Sequence, residues 1–283
     1  MNYLLRELAP IPEAAWEEID EEARRVLKLT LAARKVVEFT GPLGWSTSAI
    51  DIGRTEALSS QPLQGAEAQL RKVQPMMELR VPFEIDRGEI EAIRRGAKDP
   101  DLEPVTAAAR TIAIAEDRAI FRGFAPGKIR GIAEASKAAA MTLTTDYEQY
   151  PKVVAGALTR LRNAGVAGPY AIALGPRCYE GLTETTGSGG YRVYDHVARL
   201  LDGPVIWAPA VDGAVVLSMR GGDFELVVGQ DFSVGYLDHT AKSVHLYLQE
   251  SFTFRVHTDE AAVPLHYADD GKAKRGREAK EYA

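Results

Sequence analysis

Alternating apolar residues near the C-terminus constrain the fold more than any other feature of this chain. Apolar side chains occupy every second position over 244–248 and again over 252–256. Successive side chains of a strand point to opposite faces, so this period of two predicts half-buried antiparallel strands. Glycines at Gly221-Gly222 and Gly229 mark turns around the preceding strands. The chain is therefore expected to contain an antiparallel sheet whose strands come from the last part of the sequence.

Composition places the chain among ordinary globular proteins. Its 283 residues are 46% hydrophobic and 26% charged, enough for one or two domains, and the net charge of −6 argues against a free-standing nucleic-acid binder. Cys178 is the single cysteine, which excludes an intrachain disulfide and is best interpreted as a small buried residue. No segment is apolar enough to span a membrane and the N-terminus lacks signal-peptide character, so we expect a cytoplasmic protein without a membrane partner.

The first third combines a helix with a segment that cannot fold alone. Apolar residues at three- and four-residue spacing predict one helix over 13–39, which Gly41-Pro42 ends. Leucines beside that stripe give the helix a second apolar face, which either lies in its own core or meets a partner. Residues 45–70 show neither period, so they form a functional loop or a two-stranded arm that needs a neighbour.

The remaining segments suggest several units in one chain. A second helix is predicted from 99–101 to Gly123, helices and strands alternate over 129–220, and charges of both signs dominate the end. Together with the family resemblance described below, these segments imply a division into an N-terminal helical part of a peripheral domain (1–44), an extended arm (45–75), the peripheral domain with its long helix (76–128), an axial domain (129–220), C-terminal peripheral strands (221–266) and a charged tail (267–283).

Known catalytic motifs are missing from the sequence. Gly123 to Lys128 has the wrong spacing for a Walker A loop, and Gly187 to Gly190 is no dinucleotide fingerprint. The five histidines lack metal-ligand spacing, and no serine stands in a Gly-x-Ser-x-Gly motif. We therefore predict neither a metal site nor an enzyme.

A series of short motifs, in the same order, resembles the encapsulin shell proteins, relatives of tailed-phage capsids. The motifs are Leu8-Ala9-Pro10, Ala33-Arg34-Lys35-Val36-Val37, Arg80-Val81-Pro82-Phe83, Ala115-Glu116-Asp117-Arg118-Ala119-Ile120-Phe121 and Gly221-Gly222-Asp223-Phe224. Each motif is weak alone, but the series runs from Leu4 to about Val256. The resemblance implies an α+β fold of the HK97 phage-capsid type with peripheral domain, axial domain and extended arm.

The resemblance also implies the function of a self-assembling icosahedral shell subunit of about sixty copies. The shell would enclose a ferritin-like protein or a dye-decolourising peroxidase that binds through its C-terminal targeting peptide, and its pores would admit small substrates such as iron. Some relatives carry an aromatic residue suited to flavin stacking where this chain has Arg87. We therefore predict no flavin and no other cofactor.

Two sites follow from the resemblance, one for the guest peptide and one for a pore. The peptide-docking residues would be Leu27, Leu31, Arg34 and Glu38, on one helical face, with Asp231, Phe232, Val234 and Tyr236 from the strand after Gly229. For Phe232 and Val234, ordinary core or intersubunit packing is an equal alternative. The five-fold pore loop would comprise Glu184, Thr185, Gly187, Ser188, Gly189, Gly190, Tyr191 and Arg192.

Two other functions stay open at this point. A phage capsid protein would share the fold and package DNA, but the acidic net charge disfavours specific nucleic-acid binding. A soluble enzyme would need a nucleophile with its base, and no such pair is recognisable.

Overall fold

The computed structural model describes residues 3–187 and 189–268. The helices are α1 (Glu13–Thr30), α2 (Arg87–Arg94), α3 (Glu103–Phe121), α4 (Ile132–Ala135), α5 (Tyr150–Asn163), α6 (Pro176–Glu184) and α7 (Val193–Leu201). The strands are β1 (Glu38–Thr40), β2 (Ala49–Ala57), β3 (Gln69–Pro75), β4 (Met77–Asp86), β5 (Met141–Leu143), β6 (Tyr170–Leu174), β7 (Val205–Trp207), β8 (Ala214–Ser218), β9 (Phe224–His239), β10 (Ser243–Val256) and β11 (Ala262–Tyr267). They form three sheets.

A four-stranded sheet in the order β1-β9-β10-β4 carries α1 and α3 on one face. The predicted antiparallel pairing of β10 is confirmed, because β10 pairs with both β9 and β4. The prediction that it is half-buried is wrong, because every residue from Leu246 to Phe254 is buried and both faces of the strand are therefore covered. Ile19 and Val26 of α1 and Ile112 of α3 share one core with Val244 and Leu246 of β10. This packing leaves the C-terminal end of α1 beside the middle of β9.

Strands β2 and β3 form a separate two-stranded antiparallel sheet. Most of their side chains are exposed, and Leu58, Leu63 and Leu70 are among the exposed large apolar residues. A lone hairpin of this kind is marginally stable in water. The segment 45–70 therefore takes the form of the two-stranded arm, one of the two alternatives that the sequence left open.

A five-stranded sheet in the order β5-β11-β8-β6-β7 organises the second unit. Strands β6 and β8 are buried along their whole length, and helices α5 and α7 pack on this sheet. The sequence grouped 221–266 as peripheral strands, and β11 departs from that grouping. It pairs with β5 and β8, so the chain returns to the second unit after β10.

The helix predicted over 13–39 is wrong beyond residue 30. Leu31 is extended, with φ −61° and ψ 120°, and a short 3-10 turn over Ala33–Lys35 leads into β1. The cause lies 85 residues away in sequence, where the buried Asp117 carboxylate accepts hydrogen bonds from the Ala32 and Ala33 amides at 2.8 and 2.9 Å. An acceptor from α3 thus replaces the carbonyls that would continue α1.

Candidate functional site

A groove of about 570 Å³ lies between the C-terminal half of α1 and the middle of β9. Its lining comprises Leu4, Arg6, Asp20, Ala23, Arg24, Leu27, Lys28, Leu31, Arg34, Lys35, Asp231, Phe232, Ser233, Val234 and Leu248. We call it the α1–β9 groove.

Aliphatic side chains form the floor of the α1–β9 groove. Leu27 and Leu31 are each 7% exposed, and Val234 and Leu248 are 3% and 2% exposed. They belong to the core beneath α1, so the groove is the open edge of that core. Phe232 is half-buried and packs against the same cluster. The floor therefore suits aliphatic side chains of an extended segment.

One wall of the groove is a guanidinium held by three carboxyl groups. Arg34 Nη2 lies 2.6 Å from Glu116 Oε2 and 3.1 Å from Glu250 Oε2, and Arg34 Nη1 lies 2.8 Å from Asp231 Oδ1. Glu116 and Glu250 are fully buried, while the Asp231 side chain is 42% exposed. Charge-assisted bonds of this kind are short and directional, so Arg34 is fixed in place.

Burial governs the charge beneath this wall. It raises the pKa of Glu250 well above its usual value, and the neighbouring Glu116 raises it further while Arg34 opposes the shift. Both causes disfavour the charged form of Glu250, because burial removes its hydration and two buried carboxylates repel each other. Burial likewise raises the pKa of Asp117 to about 7, against the two amide hydrogen bonds from Ala33 and Ala32.

Two phenylalanine rings lie over the Arg34 guanidinium. The guanidinium carbon lies 4.4 Å from the centre of the Phe232 ring and 5.2 Å from that of the Phe39 ring. Such contacts are favourable because the ring face is negative. Phe232 lines the groove and Phe39 does not. The two rings thus share a cation but only one faces the groove.

Six of the eight residues predicted for docking line the groove, and two do not. Glu38 was expected to continue a helical face, but it stands in β1 opposite Glu225. Tyr236 is buried, its amide donates to the Leu4 carbonyl and its hydroxyl contacts His239 Nδ1. Glu38 misses the groove because α1 has ended by then, and Tyr236 because its ring is engaged beyond the groove's end.

Sequence reasoning missed the basic and N-terminal part of the groove. Arg24, Lys28 and Lys35 are exposed and line it, and the first two stand four residues apart on α1. That spacing was the available signal. Arg6 reaches the groove from the N-terminal segment, where it pairs with Asp20 at 2.8 Å. No pattern in the sequence predicts that Arg6 lies at the groove.

The predicted pore residues fall at the end of α6 and in the turn that follows. An isolated β-bridge joins Thr186 to Arg192, and the Gly187 amide donates to the Tyr191 carbonyl at 2.9 Å. Tyr191 is 72% exposed, and Gly190 has φ +78°, a conformation that favours glycine. Ser188 lies outside the described residues, as do positions 269–283 of the predicted tail. The described part is a hydrogen-bonded turn that projects a tyrosine.

Within residues 3–187 and 189–268, no group of three His, Cys, Asp or Glu side chains is arranged to hold a metal ion. Over the same ranges, none of the helices has the length and apolar character needed to cross a membrane. Cys178 is buried, with its sulfur near the Tyr150 and Tyr267 hydroxyls, as expected for a small buried residue.

The fold defines the class of protein. The virus-like particle of Pyrococcus furiosus matches with a TM-score of 0.64 at 17% identity, over 87% of this chain and 97% of that one. At this identity the likeness shows the fold alone, which is the HK97 phage-capsid fold. The chain therefore belongs, by its fold, to the class of phage-capsid-like proteins.

Sequence comparison identifies the family. Residues 1–253 match the family described as encapsulating protein for peroxidase. The type 1 encapsulin shell protein of Rhodospirillum rubrum is 59% identical over 270 residues, 94% of this chain and 96% of that one. That of Rhodococcus erythropolis is 48% identical over 266 residues, 94% of this chain and all of that one. The chain belongs to the encapsulin shell protein family and has a structural role in a multi-subunit shell.

Proposed function

We propose that the shell subunit retains a guest enzyme by docking a short C-terminal peptide of that guest in the α1–β9 groove. The observation that carries the proposal is the combination of an open aliphatic floor with a fixed polar wall. Leu27, Leu31 and Val234 offer apolar contacts, and Arg34 with Asp231 offers hydrogen bonds of defined direction. Buried apolar anchors supply affinity, and charges at the rim set the register of a bound segment.

The guest we propose is a ferritin-like protein or a dye-decolourising peroxidase. The description of the family as encapsulating a peroxidase supports the second, and the resemblance described above supports both. We propose about sixty copies in an icosahedral shell, which is the smallest number that this symmetry allows. The shell would stand in the cytoplasm, without membrane or specific nucleic-acid partners.

We also propose that the turn over 184–192 rings a pore for small substrates such as iron. The small residues Gly187, Gly189 and Gly190 would keep the rim narrow in cross-section, and the exposed Tyr191 would project from it. Pore diameter and lining dipoles would then set selectivity. No resident cofactor is proposed, since Arg87 begins α2 where an aromatic ring would be needed for flavin stacking.

Peptide docking is tested by loading a fluorescent protein that carries the C-terminal peptide of the peroxidase or ferritin-like protein encoded beside the shell gene. We expect its fluorescence to elute with assembled shells in size-exclusion chromatography. Phe232→Ala should reduce loading about tenfold or more, because it removes an aromatic contact at the groove. Hollow particles seen by negative-stain electron microscopy should be unchanged.

The matched control is Phe39→Ala. This ring also lies over Arg34 but is absent from the groove, so loading should match that of the unmodified shell. Equal loading by all three shells would place the peptide elsewhere and refute docking in the α1–β9 groove. Equal loss in both variants would show that the effect runs through Arg34 instead of contact with Phe232.

A further inference from the structure

A second cavity, of about 260 Å³, lies where the two-stranded arm meets the body of the subunit. Five of the nine residues that line it are basic: Arg54, Lys128, Arg130, Arg255 and His257. The other four include no carboxylate. We call it the arm-base pocket. Its lining comes from β2, β3, the loop after α3 and the end of β10, so it joins elements that are distant in sequence.

The arm-base pocket has more basic side chains than carboxylates to pair with them. Glu225 Oε2 lies 3.2 Å from His257 Nε2 and 3.9 Å from Arg255 Nη1, so one carboxylate serves that end. In the described ranges, neither Arg54, Lys128 nor Arg130 forms an ion pair with a carboxylate. All three are exposed, and Arg130 Nη2 donates a hydrogen bond to the Ala135 carbonyl at 3.2 Å. Because these cations line one cavity without a paired carboxylate, a bound anion would lower the repulsion among them.

The backbone at Lys128 adds an independent observation. Its φ is +55° and its ψ 26°, in the left-handed region where glycine fits without strain. A lysine in this conformation costs stability that glycine would not. Its carbonyl also accepts a hydrogen bond from Gln74 Nε2 of β3 at 2.6 Å. A strained backbone at a residue whose polar side chain lines a cavity suggests that the side chain binds a ligand there.

The arm brings Arg54 to the same cavity through an irregularity in β2. The pairing of β2 with β3 shifts register between Asp51 and Arg54, and Gly53 within it has φ +66°. Bulges of this kind bend a strand and re-aim a side chain. Gly53 also donates its amide to Asp51 Oδ1 at 2.8 Å, which fixes the local shape. The irregularity therefore sits where the arm contributes its cation.

We propose that the arm-base pocket binds an oxyanion, phosphate or carboxylate, and that the bound anion fixes the base of the arm against the body. Arginine suits both groups because its planar fork donates two parallel hydrogen bonds to their oxygens. The anion would contact Arg54 of the arm and Lys128 of the body together. Its source is either free phosphate in solution or a carboxylate of a second copy of this chain.

The experiment uses the full chain as assembled shells, with inorganic phosphate as the probe and chloride to hold ionic strength constant. If free phosphate is the source, the thermal unfolding midpoint rises with phosphate and saturates. Lys128→Gly removes the cation and relieves the backbone, so it should weaken the phosphate response about tenfold without lowering the phosphate-free midpoint. Arg54→Gln should weaken the response similarly, and Lys98→Gln, at an exposed site outside the pocket, should not.

A carboxylate from a second copy gives a different result. Phosphate then has no effect on wild-type shells, while Lys128→Gly and Arg54→Gln each reduce the fraction of subunits in shells and Lys98→Gln does not. Two outcomes would overturn the proposal. One is a phosphate response that both pocket variants retain in full. The other is no phosphate response together with wild-type assembly by both variants. Because glycine fits the backbone at residue 128 and Arg54→Gln leaves the backbone unchanged, a loss shared by both variants is assigned to the missing cations.

Discussion

Replacing Arg34 with methionine tests whether the wall of the α1–β9 groove is also a structural requirement. The guanidinium makes three hydrogen bonds to the Glu116 carboxylate, at 2.9, 3.0 and 2.6 Å, and Glu116 is fully buried. Methionine keeps the apolar stem of the side chain and removes the charge. Breaking a buried pair from one side costs about 3–5 kcal/mol, because the remaining charge has no compensation.

The structure sets a ceiling on this loss. Once Arg34 is gone, Glu116 can escape its uncompensated charge by taking a proton. For a glutamate of ordinary pKa that costs about 4 kcal/mol at pH 7 and about 1 kcal/mol at pH 5. We therefore expect Arg34→Met to lower the free energy of unfolding by about 3–4 kcal/mol at pH 7 and by much less at pH 5.

The assay is guanidinium denaturation followed by tryptophan fluorescence at one fixed subunit concentration, because assembly adds stability by mass action. The double variant Arg34→Met/Glu116→Gln should recover at least about 2 kcal/mol at pH 7, since no buried carboxylate is then left alone. Arg110→Met, at an exposed position of the same helix as Glu116, should change stability by less than about 0.5 kcal/mol. An equal loss at both pH values, or no recovery in the double variant, would refute the reasoning.

Two further predictions concern α3 and the loop that follows it. The pKa of Asp117 is raised to about 7 in the folded chain, so the native state binds a proton that the unfolded state releases near pH 4. The stabilisation from this raised pKa is fully present below pH 4 and is lost as pH rises to 7, which lowers the free energy of unfolding by up to about 4 kcal/mol. In denaturation curves of Asp117→Asn, this dependence of the free energy of unfolding on pH should vanish. Gly131→Ala would place a Cβ 2.1 Å from the Gly123 amide nitrogen. We expect it to destabilise by about 2 kcal/mol or more in the same assay, and an unchanged midpoint would contradict the close approach.

Much of this fold was predictable because its signals are local. The alternation over 244–256 predicts the antiparallel pairing of β10, and the stripe of α1 predicts its packing against α3. The lack of either period over 45–70 left a functional loop and a two-stranded arm as alternatives, and the structure shows the arm. In each case the residues that carry the pattern are close together in sequence, so a single chain displays it.

What the sequence could not reveal depends on residues brought together from a distance. The end of α1 is set by Asp117, and propensity at residues 31–39 contains no trace of that acceptor. The contacts of Arg34 reach 82 residues along the chain to Glu116 and 216 to Glu250. For the same reason β11 was grouped with its sequence neighbours, although it pairs with β5 and β8.

These distant contacts bear on how the groove would work. Arg34 reaches the groove because the chain leaves the helix at Thr30 and turns it toward Glu116, Glu250 and Asp231. An arginine in a continued helix would have kept its freedom, and each ordered side chain costs a ligand about 0.5–1.5 kcal/mol. In this fold the Arg34 side chain is already ordered before a peptide binds, so binding does not include that entropy loss. A peptide that docked beside Phe232 would meet an ordered wall, so its binding energy would come from the contacts it makes.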